Sequence, residues 1–327
     1  MAAPVALYAN SSSWRGMAIE TTYGTPVAAP VYWVPVKSPK ISAMITEVDD
    51  DALRGSMVKN YMQIPTVRHD EYTFTTYVYY DTLPALIRSI LGGTDVITGS
   101  ADPYTHTLSL LNNSLATANQ PPSYTFFDFD GKTCRQLPAG QVDELSIKFT
   151  ATGLVELTVK VLSFPFTTIA APSSAFTAVT AAPSWDCTPT INSVVNVRVV
   201  DGEISLKRSS KPLHVLGQQA PYKIQVGPLE IDGKMTFLNT DDSELGWYTA
   251  DSTVPVNLVF TPPQSTTHTW TIDMNACKAK NAVQERGADG VIVTSFDLVP
   301  LPNTTDANSG GVSPIKSTHL TALSTSY

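Results

Sequence analysis

Five histidines, three cysteines and two aspartate clusters are the groups in this 327-residue sequence best suited to holding a metal or moving a proton. Their spacing speaks against each use. His69, His106, His214, His268 and His319 show no metal-ligand spacing, and His106 and His268 fall in strand-like text, where a satisfied structural role is favoured. Asp128-Phe129-Asp130-Gly131 opens like a calcium loop but lacks the later oxygen ligands and the closing glutamate, so a turn between strands is the better reading. Asp49-Asp50-Asp51 could attract a cation, yet a charge run ahead of a loop is ordinarily solvated surface. Cys134, Cys187 and Cys277 are widely spaced and odd in number, which favours buried reduced thiols over a disulfide framework. The sequence contains no nucleophile elbow, zinc-protease helix, phosphate loop or dinucleotide fingerprint. No catalytic residue, metal or cofactor is therefore expected, and an enzyme is disfavoured.

The polar groups that do fall in a pattern lie along two strands. Glu71, Thr73 and Thr75 alternate with Tyr72 and Phe74, and Glu230, Asp232 and Lys234 alternate with Ile231 and Met235. A period of two puts each polar set on one face of its strand. Such a face either meets water or lines an enclosed channel whose hydroxyls and carboxylates offer a polyanion no cationic grip. The formal net charge of −8 argues against a nucleic-acid reader, which carries a basic stripe.

The elements that position these residues occur twice. A strand at 41–48, a polar gap at 49–66, a long strand at 67–80 and a capped helix at 81–91 return at 200–207, 208–221, 222–238 and 240–248, offset by about 159 residues. Asp81 or Thr82 can cap the first helix and Gly92-Gly93 can end it; Asp241 with Glu244 resembles a capping box for the second. Further strands are expected at 105–111, 123–129, 142–150 and 154–164, and at 254–260, 268–274 and 290–298. The hairpin at 142–164 has no clean counterpart in the second half. Charged residues make up only 15% of the chain and 24 prolines interrupt long helices, which suits mainly β structure with covered or paired strands. The expected fold is two tandem antiparallel β-sandwich or barrel units, each with one short flanking helix. The expected boundaries are an N-terminal arm at 1–30, a first unit at 31–165, a connector at 166–193, a second unit at 194–302 and a C-terminal tail at 303–327, docked or mobile. The opening ten residues have no signal-peptide pattern and no window approaches a membrane span, so the chain reads as cytosolic when made.

Several short motifs bear a family likeness. Trp14-Arg15-Gly16 followed by Glu20-Thr21-Thr22-Tyr23-Gly24-Thr25-Pro26, then Leu53-Arg54-Gly55-Ser56, Leu91-Gly92-Gly93, the strand at 142–149 and the run 201–238 together cover most of residues 14–300. In these the chain resembles major tail tube proteins of long, non-contractile-tailed bacteriophages. That resemblance implies a structural virion protein whose rings stack into the DNA-conducting tail tube around a tape measure protein. It also implies tail terminator and distal tail proteins as partners, assembly in the host bacterial cytoplasm, and transient, non-specific passage of DNA. Glu71, Thr73, Thr75, Glu230, Asp232 and Lys234 would then face the lumen. Asp50, Leu53, Arg54, Leu213 and His214, in the long loops, would reach a neighbouring ring or subunit. Many family members carry one unit and form hexameric rings; two units per chain favour a trimeric ring with pseudo-sixfold symmetry. The alternatives are another tail, baseplate or decoration β protein, or a carbohydrate-binding adhesion module using Trp14, Trp33, Trp185, Trp247 and Trp270 as stacking platforms.

Overall fold

The computed structural model describes residues 12–327 apart from 53, 56, 59, 113–116, 241–242, 263–266, 287–290 and 309. It is mainly β, with two short α-helices among the described residues and strands that pair antiparallel throughout. The first half runs β1 (Trp14–Ile19), β2 (Tyr32–Trp33), β3 (Lys40–Asp50), β4 (Met62–Tyr77), α1 (Leu83–Leu91), β5 (Val96–Thr98), β6 (Tyr104–Ser109), β7 (Tyr124–Phe129), β8 (Cys134–Thr150), β9 (Glu156–Ser163) and β10 (Thr167–Ile169). The second half runs β11 (Cys187–Ile191), β12 (Val194–Val195), β13 (Val199–Lys207), β14 (Lys211–Leu213), β15 (Lys223–Gln225), β16 (Glu230–Leu238), α2 (Ser243–Thr249), β17 (Thr253–Phe260), β18 (Thr269–Arg286), β19 (Ile292–Pro300) and β20 (Lys316–Thr321).

The two halves share one pairing scheme. In the first, the hairpin β8–β9 folds back so that β9 pairs with β4 and β4 with β3. In the second, the hairpin β18–β19 does the same, with β19 on β16 and β16 on β13. The start of β8 is flanked by β7 and β10, and the start of β18 by β17 and β20. Beyond these, β1 and β2 follow β7, while β11 and β12 follow β17. The hairpin at 142–164 thus has a counterpart after all. The sequence does not display it because β18 continues past Met274 through Cys277–Arg286 as a polar stretch without apolar alternation, held by its ladder to β19.

Alternation builds the core. Leu145, Ile147 and Phe149 of β8 point inward with Leu157, Val159 and Val161 of β9, and Tyr72 and Phe74 of β4 join them. Ile204 and Leu206 of β13, Met235 and Phe237 of β16 and Trp270 of β18 extend the same cluster into the second half. Helix α1 buries its apolar face in this core. Gly92, at φ 77°, ends it, with its N–H donated to the Arg88 carbonyl at 2.7 Å. A Cβ at Gly92 would meet Pro121 at 2.7 Å, so only glycine fits there. Thr82 occupies the N-cap without a side-chain cap bond, and Asp81 accepts instead from Thr177. The capping box expected at Asp241 lies outside the described residues, and Glu244 pairs with Arg198.

Other departures have local causes. The strand expected at 222–238 is broken at Gly227-Pro228 into β15 and β16, because proline cannot donate to a ladder and Gly227 packs directly on the Arg208 carbonyl. Residues 14–19, expected as part of an arm, form β1, buried along nearly its whole length and paired with β7. The expected connector contributes β10 and β11, and the expected tail contributes β20, which pairs with β18 and β6.

Candidate assembly interface

Two sheets meet inside the chain. Residues 144–150 of β8 pair antiparallel with residues 201–207 of β13, so the first half's edge strand is also the second half's neighbour. The resulting sheet runs β3-β4-β9-β8-β13-β16-β19-β18 without a break. The joint buries Leu145, Ile147, Phe149, Ile204 and Leu206.

By strand equivalence the same two edges recur at the ends of this sheet, and there they are unpaired. Among the described residues β3 pairs only with β4, and residues 279–286 of β18 pair only with β19. Several apolar side chains that sit there are exposed. Ile45 is 45% accessible and Val48 53%, with Met44 and Val283 similar. An unpaired edge carrying exposed apolar side chains is a template for pairing with another chain.

A clamp reinforces the internal joint. Arg208, directly after β13, is buried and donates from Nε to the Ile90 carbonyl (2.8 Å) and from its terminal nitrogens to those of Leu91 (3.1 Å) and Gly227 (3.3 Å). It thereby satisfies the open carbonyls at the end of α1. Burial lowers the Arg208 pKa to about 10, so it remains charged at neutral pH. The hairpin β14–β15 lies over the first half. The Ile224 N–H donates to the Tyr23 hydroxyl (2.7 Å), and Val226 exchanges hydrogen bonds with the Gln120 side chain.

The segment after β1 explains a motif noted in the sequence. Glu20 is buried and accepts from Gly24 N–H (2.9 Å), Ser123 Oγ (2.6 Å), Thr125 Oγ1 (2.8 Å) and Ala139 N–H (2.9 Å). Gly24 turns at φ 74° against Phe164. Glu20, Tyr23 and Gly24 are therefore a structural anchor joining β7, β8 and the hairpin. Arg208 and Glu20 were invisible as organising groups in the sequence, because their partners lie far away along the chain.

All six residues expected on a polar face share one side of the continuous sheet. Glu71, Thr73 and Thr75 of β4 and Glu230, Asp232 and Lys234 of β16 alternate with the buried Tyr72, Phe74, Ile231 and Met235. Lys234 is not the only cation on that face. Glu71 pairs with Lys160 at 3.3 Å and Glu144 with Lys207 at 3.5 Å, because β9, β8 and β13 bring lysines to the same side. Of the loop residues, Asp50 and Arg54 pair with each other at the β3–β4 tip, and Arg54 sits over the Tyr61 ring. Leu213 ends β14 and His214 approaches His69 of β4, with ring centroids 6.3 Å apart. Leu53 lies outside the described residues.

The remaining chemical candidates take structural places. Asp130 Oδ1 accepts from the Lys132 and Thr133 N–H groups in the β7–β8 turn, while Asp128 pairs with Arg15 and Arg135. Burial pushes the Cys187 and Cys277 thiols up to about 12 and the Cys134 thiol up to about 11, which suppresses thiolate chemistry. Trp14, Trp33, Trp247 and Trp270 pack in aromatic clusters; Trp185 is 65% exposed.

Fold and edges together define a mainly β, antiparallel structural subunit. The sequence model of the family described as phage tail tube protein matches residues 16–302, and the chain belongs to that family. It is thus a structural tail tube subunit of a phage virion, a class that assembles with itself and with other tail proteins. Comparison with curated proteins returns no match. No helix among the described residues is long and apolar enough to cross a membrane.

Proposed function

We propose that three copies of the chain close each ring of the tail tube, so that six equivalent sheet units surround a lumen. The single observation that carries this reading is the joint between β8 and β13, together with the unpaired equivalents of both its strands at β18 and β3. Pairing β18 of one copy with β3 of the next repeats the internal joint. Such a head-to-tail contact closes into a ring when the rotation per chain divides the circle. We take the two units to span 14–169 and 187–321, a proposal supported by the equivalence of their strands.

On this reading Glu71, Thr73, Thr75, Glu230, Asp232 and Lys234 line the lumen, through which DNA passes and which holds the tape measure protein before ejection. The β3–β4 tip with Asp50 and Arg54 contacts a neighbouring copy, as the hairpin bearing Leu213 and His214 contacts the first half within one chain. Rings stack between tail terminator and distal tail proteins, assembly takes place in the host cytoplasm, and no reaction is catalysed.

Negative-stain electron microscopy of the concentrated protein, averaged down the particle axis, tests the stoichiometry. Rings or tubes with three chains per ring are the expected result. Six chains per ring would keep the tail tube and refute the reading of two equivalent units per chain.

A further inference from the structure

The register of the continuous sheet orders its charges in a way that no single strand discloses. On the solvent face, one row crosses β9, β8, β13, β16, β19 and β18 as Glu156, Lys148, Glu203, Lys234, Asp297 and Lys280. Sign alternates at every step, with three carboxylates against three lysines. A second row, four residues along each strand, reads Lys160, Glu144, Lys207 and Glu230 across β9, β8, β13 and β16, again alternating. Between them Thr158, Ser146 and Ser205 are neutral on β9, β8 and β13, and the row meets an acid, Asp232, on β16. Both charged rows pass through the joint between the halves without a break in alternation, at Lys148 opposite Glu203 and at Glu144 opposite Lys207.

Residues directly opposite in neighbouring strands hold their Cβ atoms about 5 Å apart, so each inner lysine of a row stands between two carboxylates. Glu203 also accepts from Ser146 Oγ at 2.8 Å, and Asp297 from Asn281 Nδ2 at 2.8 Å, which holds these carboxylates in place. A groove of about 380 Å³ runs over this part of the face. A phosphate approaching any of these ammonium groups must also approach the flanking acids.

We propose that the alternating rows mask the lysines of this face from a polyanion, so that the wall neither grips nor strongly repels duplex DNA. The acids are what keep it from becoming adhesive. The proposal rests on the reading that this face lines the tube, and it locates DNA slippage in the pairing of charges rather than in an excess of negative charge.

The test uses the unassembled full chain and a fluorescein-labelled 20-base-pair duplex, read by fluorescence anisotropy at pH 7.5 across salt. Wild type is expected to show no saturable binding at 50 mM salt. The variant Glu156→Gln, Glu203→Gln, Asp297→Asn is expected to bind. With about three phosphate contacts, its affinity should fall about 40-fold between 50 and 200 mM salt. Adding Lys148→Gln, Lys234→Gln and Lys280→Gln should abolish that binding. Should the triple variant fail to fold, Glu144→Gln with Glu230→Gln removes the acids of the second row and serves the same comparison. A folded acid-neutralised variant that binds no tighter than wild type overturns the proposal, as does wild type that already binds comparably. Because no ring is needed, failure of the ring reading shows in microscopy and leaves this comparison readable.

Discussion

Ile45→Asp separates ring closure from folding. Ile45 lies on the core-facing side of β3 but is 45% exposed, because among the described residues no strand pairs with that edge. Its counterparts at the internal joint, Ile204 and Leu206 of β13, are fully covered. Burying the remaining half of an isoleucine side chain contributes about 1 kcal/mol, and forcing a carboxylate into the same place costs about 2 kcal/mol more. A joint between copies should therefore weaken by about 3 kcal/mol, roughly 150-fold in its association constant. A three-joint ring loses about 9 kcal/mol on that arithmetic, which is enough to abolish rings at micromolar protein. The unassembled chain should lose about 1 kcal/mol, the contribution of the half of the side chain already covered there, and remain folded. Sedimentation velocity over a concentration series, with a thermal melt of the monomer, makes the measurement. Val31→Asp, at another exposed apolar site outside both edges, is the control and should assemble like wild type. Rings formed by Ile45→Asp at the wild-type concentration would refute the edge argument, and equal loss in both variants would refute its specificity.

Arg208→Met should destabilise the unassembled chain by about 3 kcal/mol in urea unfolding, because it leaves the Ile90 and Leu91 carbonyls buried without a donor; a loss below about 1 kcal/mol would show that water replaces the guanidinium. His319 sets an acid limit. Burial lowers its pKa to about 3, so the folded state holds it neutral while the unfolded chain protonates it below about 6.5. Stability therefore falls as pH drops from 6.5 towards 3, by up to about 1.4 kcal/mol per unit. His319→Gln should remove that part of the acid slope, and an unchanged difference in stability between pH 6.5 and pH 4.5 would refute the assignment. His106, paired opposite His319, acts in the other direction. Burial alone would lower its pKa, but Asp95 at 2.9 Å and the Leu323 carbonyl at 2.7 Å outweigh it and raise the value. Its contribution is complete below the unfolded pKa and lost as pH rises through the folded one, so only the wild-type minus variant difference isolates His319.

The sequence was legible where one face of an element is buried and the other is wet. That condition holds for the second half of β4 and for β13 with β16, and these carried the polar faces of the repeat. It fails for β1, which is buried on both sides and so shows no alternation, and for the second half of β18, which is exposed on both sides for want of a neighbour. The polar face itself could be read strand by strand, Lys234 included, but the lysines that β8, β9 and β13 add to it could not. Lys148, Lys160 and Lys207 join Glu71 and Glu230 only through the registers of β8, β9 and β13, set by contacts between segments distant in sequence. The Glu20 anchor was visible only as part of a motif, since its chemistry depends on donors a hundred or more residues away, Ser123, Thr125 and Ala139.

The internal joint and the free edges share a ladder but not a clamp. After β13 the chain commits Arg208 to the end of α1, Ser210 to Asp143 and the hairpin β14–β15 to Tyr23 and Gln120, all in the first half. After β3 the described residues of the equivalent loop bond to their own strand end: Arg54 and the Tyr61 N–H to Asp50, and Asn60 to Asp49 at 2.8 Å. Strand pairing with side-chain burial is therefore available to both joints, whereas the buried guanidinium and its carbonyls belong to the internal one alone. On the three-chain reading this asymmetry has a use. Covalent linkage and the clamp make half of the six joints permanent before assembly. The other half rest on edges whose apolar side chains stay in water until a second copy covers them, so ring formation depends on concentration and on the tail components that start it.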